Sequence, residues 1–431
     1  MDKMRIKINR LGAVTDSEIT LRPFMIFMGE SGLGKSYVAF LAHYVYAVLG
    51  SDRLAHYFDG YDFNELLQNV KSGDTILEIP MRDLFDWINK DAINYIGYLI
   101  GYDSFNGDVE INWPFADESI KFTYTEEIAG LSNAESVIYN ISTNKFTYNI
   151  LSDSSKINAR VFETLIRAEL SDAMFDEYIN FADYILPPSR GALMELNERP
   201  AFRSGMYDEF FDLKAALVRP SKNKVEESKP LDSIIQKANN GKIAQSDNDI
   251  TFTTTDGILM PLTAAASSVK ELAPFVMMLN KFVLNKTSIL FEEPEAHLHP
   301  ERQRHVADLI GYAVSQNCHM QITTHSDYFI KRLNQLTRMY AIKERHPSES
   351  VDKTLSEIGI LPQTLIDPAR IGAYFLYRRN DGLTEIKELD VIESNTIPFT
   401  SFHNVIMDEF DISYRINEFE PEGENDQEEQ E

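Results

Sequence analysis

The chain of 431 residues contains one cysteine, Cys318, so no intrachain disulfide can form, and no second cysteine pairs with it in a zinc or redox motif. It reads as a small buried residue. Long apolar runs are also missing. The longest, Tyr37 to Gly50, has 14 residues and includes His43, short of the roughly 20 needed to span a bilayer, and the N-terminal residues carry charge without a signal-type apolar stretch after them. A reducing cytoplasm and no membrane association are the expectation.

Positive charge is scarce as well. Lys and Arg total 41 against 67 Asp and Glu, a formal net charge of −26. A protein that grips nucleic acid along the phosphate backbone usually carries basic excess, so any DNA site here has to be a local patch. Eight of the carboxylates fall in the last fourteen residues, Glu418 to Glu431, a low-complexity stretch expected to be a disordered tail over 416–431. No internal repeat and no sustained heptad run occurs. With 43% hydrophobic and 25% charged residues, the remainder has the composition of a folded globular protein.

Residues 4 to 28 read as two strands, MRIKINRLGAV and EITLRPFMIFM, the second ending at Gly29. Immediately after it comes GESGLGKS, that is Gly29, Glu30, Ser31, Gly32, Leu33, Gly34, Lys35 and Ser36. This is a full match to the G-x-x-x-x-G-K-[ST] phosphate loop, between an apolar strand and an amphipathic helix that ends near Gly50. Glycines let the backbone N–H groups curl around phosphate oxygens, Lys35 reaches the β and γ phosphates of ATP, and the Ser36 hydroxyl holds Mg²⁺.

Between 51 and about 190 the pattern becomes mixed. Helical pieces around Asn64–Val70 and Met81–Ile100 precede the short alternating segments EINW, IKFTY, SVIYNI and KFTYNIL, expected as antiparallel hairpins, and a helix over about 157–178. The alternating aromatics Trp113, Phe122 and Tyr124 read as strand core. The stretch 222–249 is polar and reads as exposed. From Thr287 onward apolar strands and helices alternate: SILF, a helix over 301–315, HMQITT, a helix over 328–336, and RMYAI as a further strand, the signature of a mostly parallel sheet.

Two strand ends carry further chemistry. In SILFEEPEAHLHP, a short apolar strand ends in adjacent acids: Glu292 is placed to hold Mg²⁺ directly or through water, and Glu293 to orient and deprotonate an attacking water. In HMQITTHS, His325 ends the next strand and can bond a γ phosphate or position the water. His297, His299 and Glu295 have a metal-like spacing, but no additional His or Cys cluster accompanies them.

EEPEAHLHP followed by TTHS, together with the phosphate loop, resembles the ABC-type ATPases related to the SMC, RecF and Rad50 proteins, especially the compact bacterial OLD-like ATPases. The likeness covers the N-terminal loop and about 243–410. It implies an α/β P-loop fold of ABC type, with a mostly parallel sheet flanked by helices, an antiparallel β subdomain and a helical insertion. The implied layout is a core from 1–50 and 242–415 with an insertion at 51–241. It also implies that Glu292, Glu293 and His325 form the Walker B and switch positions, with ATP and Mg²⁺ as cofactors. AASSVKEL looks like the signature motif that reaches the partner's γ phosphate in a homodimer, through Ser267 or Ser268; Val269 stands where glycine is common, and a simple helix cap is the alternative. YILPPSRG resembles a segment lying near the nucleotide side, which makes Arg190 a candidate charge-stabilising or interface arginine, with a surface salt bridge as the other option.

After these motifs no convincing D-x-D pair of a Toprim nuclease follows, so nuclease chemistry is not expected of this chain. Stand-alone ATPases of this kind resemble regulatory subunits of antiphage systems of the PARIS or Septu type, acting with a separate Toprim or HNH-type effector nuclease. A RecF-like DNA-repair ATPase and a non-hydrolysing ATP-bound scaffold are the rivals.

Overall fold

The structure is a computed structural model, and it describes residues 4–131, 134–151, 157–177, 179, 181–219, 229–245, 250–398 and 410–415. The segment 416–431, expected to be a disordered tail, lies outside the described residues.

A nine-stranded sheet organises the chain. Its spatial order is Gly107–Asn112, Arg5–Leu11, Val14–Thr20, Thr384–Leu389, Ile371–Arg378, Phe24–Gly29, His319–Thr324, Thr287–Glu292 and Ala182–Leu186. The last five of these are mutually parallel. The other four form a wing whose pairings are mainly antiparallel. The parallel strands read as continuous apolar runs because both faces are covered: in Phe24–Gly29, Met25 and Phe27 join one buried cluster while Phe24, Ile26 and Met28 join the other. Parallel strands also bring their carboxyl ends to one edge, where α/β sheets bind ligands.

On one face the helix Lys35–Gly50 packs against the sheet, and nearly every residue from Val38 to Leu49 is buried. Its outer side is covered by the helices Met81–Ile100 and Ala159–Phe175 and by a four-stranded antiparallel sheet ordered Thr75–Pro80, Ser119–Leu131, Ala134–Ser142, Thr147–Leu151. The other face carries Ser267–Lys281, Pro300–Ser315, Asp327–Arg345 and Lys229–Asn239. Trp113, Phe122, Tyr124 and Cys318 are buried. No helix among the described residues is long and apolar enough to cross a membrane.

Four expectations are corrected. The first 29 residues hold three strands, because the chain turns at Leu21–Pro23 before the loop strand. The EINW segment leaves the hairpins and pairs antiparallel with Arg5–Leu11, about a hundred residues away. Within 222–249 lies the helix Lys229–Asn239, held by Leu231, Ile234, Ile235 and Ala238 on one buried face. RMYAI is the continuation of the helix Asp327–Arg345, and the strand beside the loop strand is Ile371–Arg378 instead.

Candidate active site

The loop strand ends at Gly29, whose φ is 137°, and a Cβ there would stand 2.4 Å from the carbonyl oxygen of Leu376. Only glycine allows that approach. Gly32 and Gly34 also take positive φ, 77° and 90°. The helix that follows starts at Lys35 with no side-chain cap and no acid in its first turn, so its leading N–H groups remain open for an anion. Leu33, 1% exposed, anchors the loop to the core. Glu30 and Ser31 face solvent.

Lys35 folds back across this loop, donating from Nζ to the carbonyls of Gly29 (3.0 Å) and Glu30 (2.8 Å). Burial lowers its pKa, opposed by the carboxylates of Glu293, Glu292, Glu295 and Glu30. The Ser36 hydroxyl donates to Glu292 Oε2 at 2.7 Å. Glu292 is buried, and among the described residues its second oxygen, Oε1, has no hydrogen-bond partner. Burial above all, with the neighbouring Glu293 charge, pushes its pKa up to about 7 against the Ser36 hydrogen bond and Lys35. A buried carboxylate oxygen left without a donor, next to a loop hydroxyl, is a donor set for a hard divalent cation. Ser36 and Glu292 therefore fit Mg²⁺.

Glu293 turns out of the strand with φ 43°, its amide donating to the Thr323 carbonyl (3.2 Å) and hydroxyl (3.3 Å). Its carboxylate, half exposed, lies 3.7 Å from His325 Nε2. Strand register makes this meeting: Glu292 pairs with Thr323 and Thr324 with Met28, so the ends of three adjacent strands coincide. Burial lowers the His325 pKa and the Lys35 charge lowers it further, against the pull of Glu293, which favours a neutral imidazole. Glu295 fixes the backbone here: its Oε1 accepts from the His325 amide and the Thr324 hydroxyl, both at 2.7 Å. Glu295, read from the sequence only as a metal-like residue, is thus a buried tie between the acidic loop and the histidine loop. His299 instead caps the helix Pro300–Ser315, accepting from the Glu301 amide.

Arg190 is placed differently from the expectation of an interface or surface arginine. It is fully buried and donates to four carbonyls: Glu271 (2.8 Å), Pro187 (3.1 Å), Glu292 (2.9 Å) and Glu293 (3.3 Å). Its guanidinium stacks 4.6 Å over the Phe291 ring and lies 3.7 Å from the Glu271 carboxylate. Burial lowers its pKa to about 10, so it remains charged at neutral pH and braces the backbone under the two acids. Ser267 and Ser268 open the helix Ser267–Lys281. Among the described residues no hydrogen bond joins them to the phosphate loop; Ser268 Oγ accepts from Arg302 at 2.9 Å. Arg302 was not singled out from the sequence, since an arginine in the first turn of a helix gives no signal by itself.

Residues 204–330 match the family model described as an AAA ATPase domain. The match spans 127 of the 431 residues. The matched span contains Ser267, Ser268, Glu292, Glu293 and His325, while the phosphate loop lies upstream of it. Among solved structures, the chain is similar to an SMC head bound to the C-winged helix domain of ScpA, at 13% identity over 91% of this chain and 98% of that one, with a TM-score of 0.37. It is also similar to the SMC head domain from Thermotoga maritima, at 11% identity over 90% and 98%, TM-score 0.34. A third is the SMC head domain with an extended coiled coil, bound to the C-terminal domain of ScpA and derived from Pyrococcus furiosus, at 10% identity over 95% and 99%, TM-score 0.37. No curated protein matches the chain.

Proposed function

We propose that this chain is an ABC-type switch ATPase that closes as a homodimer around ATP and hydrolyses it to ADP and phosphate. The observation that carries this is the Ser36–Glu292 contact at 2.7 Å with Glu292 Oε1 left free, set beside the Glu293–His325 pair at the mouth of the phosphate loop. Lys35 exchanges the Gly29 and Glu30 carbonyls for phosphate oxygens. Ser36 and Glu292 would hold Mg²⁺, which supplies charge neutralisation at the phosphates when bound. Glu293 takes the proton of the water whose oxygen attacks the γ phosphorus as the bond to the β-phosphate oxygen breaks. His325 keeps that carboxylate and the water aligned. Ser267 or Ser268 approaches the partner's γ phosphate, so charge stabilisation is complete only in the closed dimer. In this scheme the core comes from 1–50 and 242–415, with 51–241 inserted and lending the core sheet its two edge strands, Gly107–Asn112 and Ala182–Leu186.

The switch, as we read it, is the cytoplasmic sensor subunit of an antiphage system that controls a separate effector nuclease. The likeness of its motifs to stand-alone defence ATPases supports this, and so does a net charge of −26, which suits a basic protein partner better than DNA. The test is Glu293→Gln, purified with the neighbouring gene products. Trapped ATP-bound dimers carrying a neighbour-encoded protein, with turnover in the wild type indifferent to DNA, are expected. A partnerless dimer whose hydrolysis depends on DNA would refute the defence reading, and an unchanged monomer with ATP would refute the switch.

A further inference from the structure

One helix of this acidic chain turns a basic side to solvent. In Asp327–Arg345 the core side is Phe329, Ile330, Leu333, Leu336 and Thr337. Opposite them Tyr328, Lys331, Gln335, Arg338, Ile342 and Arg345 are exposed, and their steps of three and four residues set them on one stripe. The helix carries five cations. Arg332 is buried in a two-pronged pair with Asp308 (2.7 and 3.1 Å), and Lys343 reaches Asp352 at 2.8 Å. The three on the stripe, Lys331, Arg338 and Arg345, have no carboxylate at ion-pair distance among the described residues. Lys331 lies over the Tyr328 ring at 5.7 Å. The acids of the helix are Asp327, in its first turn, and Glu344, about 100° round from Arg345. At 1.5 Å per residue the three cations are spread over about 21 Å, a spacing that suits an extended acidic segment and not a single small anion.

The chain contains such a segment, and the stretch leading to it is anchored on this helix. Asn334 Nδ2 donates to the Ile397 carbonyl at 3.0 Å, and the Ile397 amide donates back to Asn334 Oδ1 at 2.6 Å. Asn334 stands between Lys331 and Arg338 along the helix. Glu418 follows Ile397 by 21 residues, which cover about 31 Å even at the rise of an α-helix, more than the length of the stripe. Residues 418–431 hold eight carboxylates and no Lys or Arg, with Phe419 between Glu418 and Glu420. Ile342, between Arg338 and Arg345, offers that ring an apolar neighbour. Tethering raises the local concentration of the segment to the millimolar range, whereas a free polyanion must first approach a chain of net charge −26.

We infer that the stripe Lys331, Arg338, Ile342 and Arg345 is the docking face of this chain's own acidic segment, Glu418–Glu431, which acts as an electrostatic latch and keeps that face covered.

Carbodiimide crosslinking of the full chain, read by mass spectrometry, tests this, because it joins a lysine to a carboxylate only where the two touch. An equal mixture of nitrogen-15-labelled and unlabelled chain separates contacts within one molecule from contacts between two. Lys331 is expected to crosslink to carboxylates of 418–431 within single chains. That yield falls at least about fivefold in Arg338→Glu/Arg345→Glu, falls likewise between about 0.05 M and about 1 M salt, and is kept in Arg338→Lys/Arg345→Lys. The Lys343–Asp352 crosslink stays within about twofold in every variant and reports that the helix is folded. Mixed-label crosslinks put the segment on a second copy and overturn the latch. Crosslinks spread over the surface lysines without preference for Lys331, or unchanged by the glutamate substitutions, overturn it as well. Absence of the crosslink also overturns it, and a short DNA duplex retained by the wild type but released by the glutamate variant then assigns the stripe to nucleic acid.

Discussion

Replacing Arg190 by methionine removes a guanidinium that donates to carbonyls of Pro187, Glu271, Glu292 and Glu293, and it leaves the Glu271 carboxylate buried without a counter-charge. Methionine fills much of the volume, so the loss is chiefly polar. Each charge-assisted bond is worth about 1.5–3 kcal/mol and they are not additive; stripping one partner from a buried ion pair costs about 3–5 kcal/mol, which is the expected loss. Lysine cannot substitute, because a single ammonium does not span carbonyls on three segments as the planar fork does. The assay is urea unfolding of the wild type, Arg190→Met, Arg190→Lys and the double variant Arg190→Met/Glu271→Leu. The double variant should recover about 1–3 kcal/mol, since it removes the orphaned charge. A loss below about 1 kcal/mol in Arg190→Met, or no recovery in the double variant, would refute the bracing role.

Burial pushes the His43 pKa down to about 4, against its hydrogen bond with Gln321, and burial with the Arg370 charge pushes His319 down to about 3. Both are neutral when folded, so their contribution is complete above about pH 6.5 and is lost as pH falls toward 4, by up to about 1.4 kcal/mol per unit for each; His43→Gln should flatten the acid limb of an unfolding profile relative to the wild type. Glu295→Ala removes the acceptor for the His325 amide and Thr324 hydroxyl, and should lower kcat about 10- to 100-fold in steady-state assays while ATP affinity stays within about threefold. Gly29→Ala drives a Cβ into the Leu376 carbonyl and should cost about 2–4 kcal/mol and abolish nucleotide binding in titrations; Gly32→Ala, with positive φ but open space around it, should cost only about 1 kcal/mol.

The contiguous parts of the site were legible because each lies on one strand–loop–helix unit whose chemistry is local: GESGLGKS, the paired acids after SILF, and the histidine after HMQITT. What sequence did not show was the long-range geometry. Arg190 reads the same whether its side chain meets water or four carbonyls, and only the packing of Phe291 and Glu271 around it decides. RMYAI has strand-like residues, yet the buried set Phe329, Ile330, Leu333 and Leu336 carries a helical period into it. EINW pairs with a strand a hundred residues upstream, a contact with no local signal. The helix Lys229–Asn239 was visible in the spacing of Leu231, Ile234, Ile235 and Ala238, and its polar composition outweighed that spacing.

The phosphate-loop helix has no wet side. Between Val38 and Leu49 its outward residues, Tyr44 and Val48 among them, share one buried cluster with Ile88, Tyr95 and Phe162 from the segment that follows it. A minimal ATPase made by excising that segment and rejoining the ends would turn this helix into an exposed apolar rod, prone to aggregation. The added region is therefore not a detachable accessory: whatever it has come to recognise, a change in its packing is felt directly by the helix that presents Lys35 and Ser36, which makes it a natural input for a signal.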